Sequence, residues 1–145
     1  MRKIRYPIAL SIIVMVALVV NSCGASLITI EHRTWSFSHI QNDKGEIVYC
    51  SDSAKAQYSF DDAVIISMSC NIGNNTITLA DAKDSWSISY SIDGESDGST
   101  LYDIESNGTK GYATVGKTVR ENGNDEYTMI LVLDGYSLYF NAPIN

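Results

Sequence analysis

The residues best suited to shape a binding site are Trp35, Phe37, His39, Trp86, Tyr90 and Tyr102. Each stands on the apolar side of an alternating segment. Aromatic rings offer large apolar surfaces, while an imidazole and phenol hydroxyls offer polar tips that orient a ligand. Two arrangements are open: the rings pack solid, or they leave a cavity for a small apolar or amphipathic molecule. Other chemistry is thinly represented. The run Asp93-Gly94-Glu95-Ser96-Asp97-Gly98 has carboxylates spaced as in a calcium loop, but Ile104 occupies the position where a bidentate Glu is needed. A solvated acidic hairpin loop is the expectation there. His39 and His32 have no carboxylate cluster beside them, so no metal site is expected. No phosphate-binding glycine loop occurs. The expectation is a protein that is not an enzyme and carries no cofactor.

Those side chains must be placed by strands. Trp86, Ile88, Tyr90 and Ile92 alternate with Ser85, Ser87, Ser89 and Ser91. A helix would scatter the serines around its circumference, whereas a strand puts them all on one side. Turn residues divide the chain, and paired positions across each turn agree on one apolar face. Asp134-Gly135 pairs Leu133 with Tyr136 and Met129 with Phe140. Asn107-Gly108 pairs Tyr102 with Ala113, and Glu105 with Lys110 on the opposite face. Asn74-Asn75 pairs Cys70 with Leu79. The loop 81–84 pairs Leu79 with Trp86. The loop 42–45 pairs His39 with Val48 and Phe37 with Cys50, unless Gly45 bulges and shifts the register. A two-residue turn at Asn122-Gly123 would put Met129 on the wrong face, so an odd-length link is expected. Residues 51–63 lack alternation, and 53–57 suit a helical turn or lid. The expected strands are 34–41, 46–50, 64–72, 76–80, 85–92, 99–106, 110–119, 127–133 and 136–141. Such a chain is all-β, an up-and-down antiparallel meander of roughly eight or nine strands. Closure into a barrel, which removes exposed edges, is preferred to a two-sheet sandwich.

Hydrophobic residues make up 45% of the 145 residues and charged residues 19%, enough apolar side chains for a core. The net charge of −7 argues against a nucleic-acid partner.

The N-terminus reads as an address. Arg2, Lys3 and Arg5 precede an apolar run, Ile8–Val20, broken only by Ser11. The run is shorter than the roughly 20 residues of a membrane span and fits a secretory signal. It ends at Val20-Asn21-Ser22-Cys23, which resembles the lipobox of bacterial lipoproteins. The resemblance implies cleavage before Cys23 and acylation of its thiol. Residues 1–22 are then a signal peptide, 23–33 a lipidated tether and 34–145 the folded domain. It also implies a bacterial cell-envelope protein facing outside the cytoplasmic membrane, in the periplasm or at the cell surface. Loss of residues 1–22 removes three basic residues and no acidic one, which leaves 7 basic against 17 acidic, net −10. Anionic lipid repels such a chain, so the acyl chains make the membrane contact. With Cys23 acylated, Cys50 and Cys70 remain as an even pair in an oxidising compartment. They form a disulfide or stay as buried thiols; the disulfide is the expectation.

Thr34-Trp35-Ser36-Phe37 at the start and Leu133-Asp134-Gly135-Tyr136 near the end, with consecutive antiparallel strands between, are similar to the lipocalin-like domains of small bacterial lipoproteins. The usual Gly-x-Trp is replaced by Arg33-Thr34-Trp35. The resemblance implies a barrel and a small-ligand role. The alternative is an envelope structural or protein-interaction module with a filled barrel and no ligand.

Overall fold

Serine alternation along one segment builds the longest strand of the molecule. The computed structural model describes residues 27–119 and 124–144; the segment expected as a lipobox, with Cys23, lies outside them. In β6 (Ser85–Ser96), Ile88 and Tyr90 are buried while Ser87, Ser89 and Ser91 face solvent. The remaining strands are β1 (Ser36–Gln41), β2 (Ile47–Cys50), β3 (Val64–Ile65), β4 (Ser69–Gly73), β5 (Thr76–Ala80), β7 (Ser99–Ser106), β8 (Thr109–Thr118), β9 (Glu126–Leu133) and β10 (Tyr136–Pro143). The segment expected as one strand over 64–72 is broken at Ile66–Met68 into β3 and β4.

All ten strands form one sheet in the order β3-β2-β1-β10-β9-β8-β7-β6-β5-β4. It is an all-β, mostly antiparallel meander, strongly curled into a half-barrel. Among the described residues the one parallel pair joins β2 to β3. Turn chemistry sets most of the register. Asp97-Gly98, Asn107-Gly108 and Asp134-Gly135 all have positive φ at both residues, the backbone of tight turns whose twist matches the strands they join. Leu133 accordingly faces Tyr136, Tyr102 faces Ala113 and Leu79 faces Trp86. Val115 faces Met129, so the β8–β9 link is odd in length. The acidic run 93–98 is not an open loop: β6 continues through it to Ser96, with a bulge between Ile92 and Gly94.

Two bulges, one in β1 and one in β2, overturn expectations. Phe37 pairs with Phe140, but His39 pairs with Tyr139, so Ser38 is the extra residue. A second shift falls opposite Ile40 and Gln41, where Val48 of β2 is the extra residue. One inserted residue exchanges the faces of everything beyond it. His39 therefore pairs with Cys50 rather than Val48. It leaves the inner face and stacks on Tyr139, with centroids 4.3 Å apart. Cys50 moves to the outer side with it, into a small cluster with Ala54 and Ala63. Cys70 packs instead against the inner core. The expected disulfide is absent because the two thiols sit on opposite faces, and both are free.

The outer cluster is roofed by a short helix, α1 (Asp52–Tyr58), on the segment that lacked alternation. The Ser51 hydroxyl caps it, accepting from the Ala54 N–H at 3.1 Å, a contact typically worth about 1 kcal/mol. Lys55 Nζ donates to the Ala63 carbonyl at 2.8 Å and ties the helix to the chain entering β3.

The curl stops short of a hydrogen-bonded barrel. β3 and β4 are the two ends of the sheet, although Cα atoms of β1 and β4 approach within 8 Å. Ile66 and Met68, in the link between β3 and β4, pack their side chains onto the core at this gap.

Candidate functional site

The two ends of the curled sheet differ because the described residues cross only one of them. At the end where β1 begins, residues 28–35 fold back over the core. Ile30 is completely buried. Its N–H donates to Tyr102 Oη at 3.2 Å, and its carbonyl accepts from Trp35 Nε1 at 2.9 Å. Glu31 accepts a short hydrogen bond from the Tyr90 hydroxyl. Arg33 donates to the Thr29 carbonyl at 2.6 Å and lies over the Tyr127 ring, 4.2 Å from its centroid. Burial first, then the Glu31 contact, pushes the Tyr90 phenol up; burial likewise raises that of Tyr102. Both hydroxyls stay protonated and serve as structural hydrogen-bonding groups. Residues 28–33, the later part of the segment 23–33, form a plug over the core. A buried backbone N–H must find a partner, and Tyr102 supplies it.

The opposite end carries the hairpin turns 42–45, 81–84, 107–108 and 134–135, and among the described residues no segment crosses it. There the inner face opens into a groove of about 410 Å³. Leu79, Ile88 and Leu138 form part of its lining, and the first two are almost fully buried. Tyr49, Trp86 and Tyr136 also line it and are 40%, 38% and 46% exposed. None of these three rings stacks on another ring of the protein among the described residues. Among the described residues, Asp81 is the one acidic or basic side chain in the lining. Its Oδ1 accepts from the N–H groups of Lys83 and Asp84 at 2.8 Å each. These two bonds hold its carboxyl below the usual carboxylate range, because they favour the charged form.

The six expected ligand contacts are therefore divided. Trp35, Phe37, Tyr90 and Tyr102 come together, but in the packed core beside Phe140, not in the groove. Phe37 meets Phe140 edge-on at 5.9 Å, and Tyr90 meets Tyr102 likewise at 5.5 Å. His39 lies on the other face, bonded through Nδ1 to Ser38 Oγ at 2.8 Å. Burial pushes its pKa down to about 4. Trp86 alone of the six reaches the groove. Tyr49 and Asp81 were not singled out from the sequence. The signal for Asp81 was its place in the turn adjoining Trp86; Tyr49 gave no signal, because its side depends on the bulges at Ser38 and Val48.

Other concavities have a mixed polar and apolar lining. One beside α1 is lined by Ser36, Ser51, Gln57 and Asn141 among others. Among the described residues no group of three or more His, Cys, Asp or Glu side chains is placed to hold a metal ion. Comparison of the chain with protein-family models, with curated proteins and with solved structures finds no match.

Proposed function

We propose that this is a lipid-anchored protein of the bacterial cell envelope that binds a small apolar or amphipathic molecule in the groove, without catalysing a reaction on it. One observation carries the reading: the curled sheet is sealed at one end by residues 28–35 and left open at the other over an apolar floor. An exposed concave surface of leucine, isoleucine and unstacked aromatic rings costs free energy in water. A ligand that covers it recovers about 25 cal/mol for each Å² removed from water.

The anchor fits this geometry. Cys23 stands just before the plug, and the chain from Cys23 to Leu27 reaches at most about 14 Å when fully extended. Acylation of Cys23 holds the plugged end near the bilayer and turns the groove away from it. The groove then takes its ligand from the aqueous side.

Two measurements test the proposal. Protein isolated from its own membrane should carry acyl chains on Cys23, and Cys23→Ser should release it from the membrane. In vesicles of brominated phospholipid, the Trp86 emission should survive, while aqueous acrylamide should quench it. Strong quenching by the brominated lipid would overturn the orientation. Absence of any saturable small-molecule binding would overturn the ligand role.

A second reading, an envelope interaction module, is favoured by the exposed apolar pair Val64 and Ile65 on edge strand β3, 58% and 48% accessible. Its test is site-specific crosslinking from position 65 in whole cells. A single discrete adduct supports it, and none removes it.

A further inference from the structure

The groove has a hydrocarbon floor, but its rim is not neutral. Among the described residues Asp81 brings the only formal charge into the lining, and that charge is negative. No lysine or arginine makes a contact ion pair with it among the described residues, although Lys83 sits on the same turn and contributes weakly to its ionisation. Both turn hydrogen bonds go to Oδ1, so Oδ2 keeps its lone pairs for a ligand. The hairpins around the opening add Asp43, Glu46, Asp84 and Asp134 against Lys44 and Lys83. That field attracts cations to the opening and repels anions. Tyr49, Trp86 and Tyr136 contribute rings with no stacking partner in the protein. An aromatic face attracts a cation through its quadrupole, and the attraction grows as water is excluded.

From this combination we infer that the groove selects a cationic amphiphile: its apolar tail lies on Leu79, Ile88 and Leu138, and its ammonium head sits at the rim formed by Asp81, Tyr49, Trp86 and Tyr136. The inference rests on the groove being a ligand site and adds the sign of the ligand's charge. A fatty-acid carboxylate, the obvious apolar candidate, is disfavoured. Its head would face a carboxylate of like charge with no basic side chain in the lining to compensate.

The test uses the full chain in nanodiscs of zwitterionic lipid, with empty nanodiscs as the blank. Three probes share one tail length: octyltrimethylammonium, octanol and octanoate. Binding is read from tryptophan emission, since Trp35 is buried and Trp86 lies in the opening. The ammonium probe should bind saturably and about tenfold tighter than octanoate, with octanol between them. The variant Asp81→Asn keeps an oxygen for the two turn N–H groups and so preserves the hairpin. It should remove most of the ammonium preference and leave octanol binding unchanged. Octanoate binding as tightly as the ammonium probe would overturn the inference, as would a preference that survives Asp81→Asn. Equal saturable binding of all three would do the same while leaving the ligand role intact. Saturation by none of them would remove the ligand role itself.

Discussion

The backbone N–H of Ile30 is bonded to the phenol oxygen of Tyr102, 72 residues further along the chain. This contact joins the plug to the middle of β7 and decides which end of the curled sheet is closed. Both residues are almost completely buried, so neither group has water as a substitute partner.

Tyr102→Phe keeps the ring and removes that oxygen. The orphaned N–H of Ile30 should then cost about 1–3 kcal/mol of stability. Ile30→Ala should cost about 2–5 kcal/mol through the cavity it leaves. Urea unfolding checks both, and unchanged midpoints would show that the plug is not part of the cooperative unit.

Gly111 should resist substitution. A Cβ there would stand 2.1 Å from the Val132 carbonyl oxygen, which is backbone and cannot swing aside. Gly111→Ala should lower stability by about 1–3 kcal/mol or more, while Gly94→Ala, with nothing within 4 Å, should be nearly neutral. Thermal melting of the two variants side by side reads the contrast.

Stability should fall as the solution is acidified, in part through His39. Its folded pKa is about 4 against a usual 6.5, because burial penalises the imidazolium. Below the usual value the unfolded chain binds a proton that the folded chain refuses. The loss therefore begins near pH 6.5 and is complete near pH 4. It should amount to at most about 3 kcal/mol. His39→Asn should flatten this part of the profile, leaving the carboxylate contribution. Denaturant titrations at pH 7.5, 6 and 5 on both proteins give the difference.

Cys50 and Cys70 should both alkylate when the protein is unfolded without reductant and treated with iodoacetamide. Burial pushes the Cys70 thiol up to about 12, which keeps it protonated and slow to react in the folded state. Mass spectrometry reads the result, and a crosslinked peptide pair would contradict the placement of the two residues on opposite faces.

The strand content and most of the hairpin register were legible in the amino-acid order. Alternation has a period of two because successive side chains point to opposite faces, and Asp-Gly and Asn-Gly fix tight turns through their own backbone preferences. Both effects act over a few residues. The Ser85–Ile92 alternation, the turn at Asp134-Gly135 and the odd β8–β9 link needed nothing more.

What only the tertiary structure decided turns on residues that are far apart in sequence. The bulge at Ser38 is set by β1 docking on β10, and it sends His39 and Cys50 to the outer face. The burial of Ile30 depends on Tyr102, and the groove depends on how far the sheet curls before β4 nears β1. Local preference specifies a strand and its two sides; the packing of distant strands specifies which side becomes the interior and how much of that interior stays open.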